Sequence, residues 1–197
     1  MKKILFIFVI VFITSVKSFG NIITIATVDN ISITNKDLEV EILILKTLNN
    51  FKKIDQNELK SSAFQNLIRQ AIKEIAINYH KNKIADKANN QVYLNIKKKL
   101  TENGVNSPEI HRNIKKKSQV EYAWNLLISK TYSWKLNVNM NEINQRLLAL
   151  GYIDPKNLET IKAKTDLIAQ EKNKKFNFYS RNHLDLIKKK LLIKIMQ

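Results

Sequence analysis

The 197-residue chain has no cysteine, only three glycines and only two prolines. Without cysteine there is no disulfide framework and no thiolate chemistry, so a fold of this length must rest on a hydrophobic core. So few glycines and prolines argue against an all-β sandwich or barrel, whose many turns depend on them. The same scarcity leaves no glycine-rich loop to cradle phosphate and no G-x-S-x-G turn to present a nucleophile. Histidine is nearly as rare: His80, His111 and His183 are the full set, and none has a histidine or carboxylate four residues on. Solvated helix-surface histidines are the expectation, not a metal site. No catalytic constellation and no cofactor is implied, and the chain does not read as an enzyme.

Long apolar runs are also missing, with one exception. Met1-Lys2-Lys3 precedes the unbroken apolar stretch Ile4–Ile13, and Ser18 and Gly20 follow as small residues. A short positive segment, a ten-residue apolar segment and small residues two apart form a secretory signal, with cleavage expected after Gly20. A retained anchor is the alternative, but the run is half of the roughly 20 residues a spanning helix needs. Either way, residues 21–197 are expected to cross the membrane as one domain.

Acidic residues are the minority, 17 against 34 lysines and arginines, for a formal charge of +17. Loss of Lys2, Lys3 and Lys17 with the signal lowers that to +14. A basic chain invites a nucleic-acid reading, but Lys97-Lys98-Lys99, Lys115-Lys116-Lys117 and Lys188-Lys189-Lys190 each lie in or beside a helical pattern. Solvated helix faces explain them, and an exported protein meets little nucleic acid. Acidic partners and anionic membrane surfaces stay open.

Residues 22–34 are β-branched and alternating, with Asp29-Asn30 suited to a two-residue hairpin turn. Thr34 and Asp37 then form a near capping box. They open a first helix whose face is predicted through Leu38, Ile42, Leu45 and Leu48, with Val40, Leu43 and Ile44 making it deeply packed. Acids Asp37, Glu39 and Glu41 suit its positive end. Asp55 and Glu58 start a second helix, and Phe64, Leu67, Ile68, Ala71, Ile72, Ile75, Ala76 and Tyr79 line one face without a break. It is predicted to end near Ile84. A third helix runs from about Ala88 to Asn103 through Val92, Ile96 and Leu100, and stops at Gly104. Ser107-Pro108-Glu109 opens a fourth that continues to about Lys135, with Trp124 on its core stripe. Leu136-Asn137-Val138 is a break. Asn139 and Glu142 start a fifth helix that Gly151 closes. Asp154-Pro155 begins a last helical region, interrupted, with Ser180 capping a fresh segment before about Lys190. The closing run Leu191–Met196 is short enough to be a strand paired with Ile22–Val28. The predicted fold is mainly α, a multi-helix domain with a small β-sheet joining the N-terminal hairpin to the C-terminal strand.

The order of these pieces resembles a known family. Ala26-Thr27-Val28-Asp29-Asn30-Ile31-Ser32-Ile33-Thr34 resembles the opening of SurA-type periplasmic chaperones, and Asp37-Leu38-Glu39 their next helix start. Leu67-Ile68, the segment Gln119–Leu127 with Trp124, the link Val138–Ile143 and the close Lys188–Met196 are similar to later family motifs. The likeness covers most of residues 22–146 and returns at about 175–197. Many relatives insert a prolyl isomerase domain before the returning helix. Here the intervening stretch, 147–179, is some 33 residues, below the 50 or so that a compact domain needs. The resemblance therefore implies a SurA N-terminal-like chaperone domain without the isomerase, with 147–179 as a short connector.

What the resemblance implies for function is periplasmic holding of unfolded outer-membrane or secreted polypeptides, work that needs no catalytic residue. The alternative is a basic exported protein that binds anionic membrane or scaffolds a partner. Tyr132, Trp134, Phe176, Phe178 and Tyr179 are the expected peptide-binding residues, because aromatics at a helix end and on a weakly patterned segment can line a groove.

Overall fold

The computed structural model describes residues 21–49, 55–80 and 90–196. The expected export signal, Ile84 and Ala88 lie outside the described residues, as does the side chain of Val92.

Strands β1 (Thr24–Val28) and β2 (Ile31–Thr34) form the predicted hairpin, with Asp29 in the left-handed region (φ 47°) at the turn. Strand β3 (Ile193–Ile195) lies antiparallel on the other side of β1, which places β1 at the centre in the order β2-β1-β3. Asp29 ties the two chain ends together twice. Its N–H donates to the Leu192 carbonyl at 2.8 Å, and its carboxylate accepts from the Leu192 N–H at 2.7 Å. The mainly helical fold with a small end-to-end sheet is therefore as the sequence pattern implies.

Helix α1 (Asn35–Leu48) starts at a complete capping box, with the Thr34 hydroxyl accepting from the Asp37 N–H and the Asp37 carboxylate accepting from the Thr34 N–H. Its buried stripe is Leu38, Val40, Glu41, Ile44 and Thr47, not the predicted Leu38–Ile42–Leu45–Leu48 face, and Leu48 is exposed. The helix is apolar nearly all round, so the packing of α2 and α3 against it decides the face. Helix α2 (Gln56–Tyr79) is capped by the Asp55 carboxylate, which accepts from the Asn57 and Glu58 N–H groups. Its predicted stripe is inward as far as Ala76; Tyr79, at the last turn, is exposed.

Helices α3 (Asn90–Glu102) and α4 (Pro108–Thr131) are joined by a turn at Gly104, whose φ of 74° a side chain would strain. The Ser107 hydroxyl makes no capping bond, so Pro108 at the first turn is the start signal that counts. Helix α4 ends at Thr131, four residues before the predicted Lys135. Tyr132 (φ −116°) breaks it and Ser133–Leu136 continues as a 3₁₀ turn. Helix α5 (Met140–Ala149) opens on the Asn139 cap and closes at Gly151 (φ 84°).

The last region departs most from expectation. It is one unbroken helix, α6 (Leu158–Lys188), capped by Asn157 and not begun at Asp154-Pro155. Ser180 starts nothing; its hydroxyl accepts from the Trp124 indole N–H at 2.8 Å. The expected connector 147–179 is thus the end of α5, a loop and most of α6. Pattern reading misjudged α6 because its two halves pack on different partners. The first half lies against α5, and Leu184 and Ile187 in the second reach the body.

The core has three parts. One joins α2 and α4 through Ala76, Ile77, Val120, Trp124 and Ile128; one seats the sheet on α2; one packs α1, α3 and α4 through Ile44, Leu100 and Ile114. Trp124 is 1 % exposed, as expected, whereas Trp134 is 71 % exposed. Trp124→Ala should cost about 3–5 kcal/mol by cavity formation, and Trp134→Ala no more than about 0.5 kcal/mol. Urea denaturation followed by circular dichroism measures both.

Candidate functional site

Two features stand out on the surface of this body. The first is a cleft of about 780 Å³ where α3 and α4 diverge over the end of α1. Ile44 and Leu48 of α1, Ile96 of α3, and Ile114 and Tyr122 of α4 make its floor, and Lys98, Glu102, Lys117 and Glu121 stand round it. The size falls within the range of ordinary ligand sites, and apolar walls with a few polar groups are their usual character.

The charges beside the cleft are organised by two ion pairs between helices, each with one sheltered partner. Glu41 is buried within α1, and it accepts from Lys117 of α4 at 2.6 Å and from the Asn66 amide of α2 at 3.1 Å. Lys73 of α2 holds Glu121 of α4 at 2.6 Å, with its ammonium 5.8 Å from the Trp124 ring centroid. Glu41 is therefore not merely an acid at a helix start, as its sequence position implies. It is the anchor that keeps α1, α2 and α4 in register, and it holds Lys117 at the cleft wall. Sequence reasoning missed this cleft. The one available signal was a carboxylate in the middle of an apolar stripe, which asks for a cationic partner.

The second feature gathers most of the predicted peptide-binding residues. The Tyr132 and Tyr179 rings stack at 5.0 Å with an interplanar angle of 16°, and Phe178 meets Tyr179 edge-on at 5.2 Å. Lys135 sends its ammonium to within 4.8 Å of the Trp134 centroid, 5.4 Å of Tyr179 and 5.8 Å of Tyr132. Lys175 donates to the Asn137 carbonyl at 2.6 Å, which fixes the 3₁₀ turn to α6. Trp134 and Phe178 are open to solvent, while Tyr132 and Tyr179 are half-buried. Phe176 is different: it packs against the Trp124 core and does not join the exposed rings.

The histidines also depart from expectation. His80 is exposed, but His183 and His111 are half-buried, each with an Nε2 that is sealed from solvent and has no hydrogen-bond partner. The His183 Nδ1 lies 2.9 Å from the Tyr132 hydroxyl, and its ring packs 5.5 Å from Trp124 and 6.3 Å from His80. Burial, and then the neighbouring charge of His80, push the His183 pKa below its usual 6.5. Among the described residues no group of three or more His, Cys, Asp or Glu is placed to hold a metal ion.

Two measurements follow. A depressed His183 pKa means that the unfolded chain takes up the proton first as pH falls, so folding is destabilised from about pH 6.5 downward. The urea midpoint should drop between pH 7.5 and 5.5, and His183→Gln should flatten that slope. Lys117→Met leaves the Glu41 carboxylate buried without its cation and should cost about 3–5 kcal/mol. In the same denaturation assay, the double change Glu41→Gln with Lys117→Met should recover part of that loss. The chain matches no protein-family model and no curated protein.

Proposed function

We infer that this protein is exported to the periplasm and holds unfolded polypeptide there, as a SurA-type chaperone core without an isomerase domain. The observation that carries this reading is the cleft between α1, α3 and α4, an apolar floor with mixed charge round it. Such a surface takes in apolar side chains of many shapes and leaves the neighbouring polar groups of an extended client in water. Full burial of one client Leu, Ile or Phe contributes about 1.5–3 kcal/mol. Against the cost of ordering the client, that gives weak, sequence-tolerant binding with release that needs no nucleotide. Outer-membrane and secreted polypeptides, unfolded after crossing the inner membrane, are the proposed clients. The order of motifs from Ala26 to Ile143 and the apolar run Ile4–Ile13 support the compartment.

Light scattering tests the reading. Residues 21–197 should suppress aggregation of an unfolded outer-membrane protein diluted from urea. The double variant Leu48→Glu, Tyr122→Ala should lose most of that suppression with its circular dichroism unchanged. No suppression by the unaltered chain, or equal suppression by the variant, would sink the cleft-holding assignment.

A further inference from the structure

The aromatic–lysine face joins two segments whose only charged side chains are basic, and it carries the exposed aromatics Trp134 and Phe178. Residues 122–141 contain Lys130 and Lys135, and residues 172–184 contain Lys172, Lys174, Lys175 and Arg181; neither segment has an acidic residue. The fold brings these two segments together through the Tyr132–Tyr179 stack and the Lys175–Asn137 bond. On α6 the order Lys174, Phe178, Arg181 follows i, i+4 and i+7, so the exposed ring stands between two cations on one stripe. Of the carboxylates at the margins, Glu171 is taken up by Arg146 at 3.3 Å, Glu142 accepts from the Asn139 amide at 3.0 Å, and Asp185 lies one turn beyond Arg181. The outermost groups are Trp134, at 71 % exposure, and Phe178, at 59 %.

We propose that this face rests on an anionic membrane surface. Tryptophan and phenylalanine seat at the headgroup level, and the lysines and arginine of these two segments meet the negative potential of the leaflet. The contact is peripheral, because no described helix is long and apolar enough to cross a membrane. It is independent of the cleft, which lies where α4 meets α1 and α3, whereas this face lies where α4 ends against α6. A holding protein docked in this way would keep its cleft free for polypeptide emerging at the same surface.

The two tryptophans make the proposal directly measurable, since Trp124 is sealed in the core and Trp134 is open. Residues 21–197, the chain without its export signal, are mixed with vesicles of phosphatidylglycerol and phosphatidylcholine, and separately with phosphatidylcholine alone. The anionic vesicles should bind the protein, shift the Trp134 emission to the blue and allow brominated acyl chains to quench it; neutral vesicles should do neither. In Trp134→Phe the remaining Trp124 signal should not respond. Lys174→Gln with Arg181→Gln should weaken vesicle binding at least tenfold, at about fivefold per charge removed, and leave suppression of aggregation intact. Failure to bind anionic vesicles, or binding with Trp134 still quenched only from water, would overturn the proposal. So would a glutamate-rich peptide shifting Trp134 where vesicles do not, which would assign the face to acidic polypeptide. The holding role stands or falls separately, on the cleft variant.

Discussion

Helix α4 has to bury one broad apolar face along its whole length, and most of the architecture follows from how that is done. Val120, Trp124, Leu127 and Ile128 pack against α2, with Leu184 and Ile187 of α6 closing over them. Ile110 and Ile114, nearer its start, belong to the cluster with Val40, Ile44 and Leu100. A face that runs the length of a long helix needs partners along it, which accounts for α1 and α3 over its early turns and α2 and α6 over its later ones. The two surface features lie at the limits of these contacts. The cleft opens where α3 and α4 stop meeting over the end of α1, and the aromatic face begins where Tyr132 ends the helix.

The polar interactions inside this framework select its register more than they stabilise it. An ion pair with one buried member, such as Glu41–Lys117, gains Coulomb energy but loses hydration, and the balance is often near zero. What it does penalise is any slip of α1 along α4, since a shift of one turn would bury Glu41 without its cation. The Asn66 amide adds a third element to the same carboxylate. Trp124 repeats the logic against α6: its indole N–H meets Ser180, so rotation of α6 would strand a buried donor. Apolar contacts alone would tolerate both movements. These hydrogen bonds make one arrangement the lowest.

Much of the frame was legible because it rests on local rules. Thr34, Asp55 and Asn139 cap helices as their positions implied, Gly104 and Gly151 end them with positive φ, and the hairpin turns at Asp29. The pairing of the chain's two ends was legible from apolar runs with no other partner. Errors arose where neighbours, not local pattern, decide. The face of α1 was misassigned because apolar residues nearly surround it. The ends of α4 and α6 were misplaced because Tyr132 breaks one, and a change of packing partner midway along the other hides its continuity. At the site level, the aromatics clustered at a helix end were visible as a group, though Phe176 went to the core. The cleft was not, since α1 meets the consecutive α3 and α4 from across the intervening α2 and no single stretch carries its signature.

Helix α6 joins the two regimes of the molecule. At about 1.5 Å per residue it is some 46 Å long, and its buried contacts with the body come late, through Phe176, Leu184 and Ile187. Toward its start it has chiefly α5 for company, with Ile143 and Leu147 as that pair's inward residues and Leu158 and Ile153 exposed at the far end. A ten-residue helix packed on one neighbour has little stability of its own, so this hairpin belongs to the low end of the local-stability range. Its root is held by the Tyr132–Tyr179 stack, the Lys175–Asn137 bond and the contact of His183 with Tyr132. Those same rings form the aromatic–lysine face. Whatever binds there therefore meets the junction between the body and the arm formed by α5 and the first half of α6, and not a passive patch of surface.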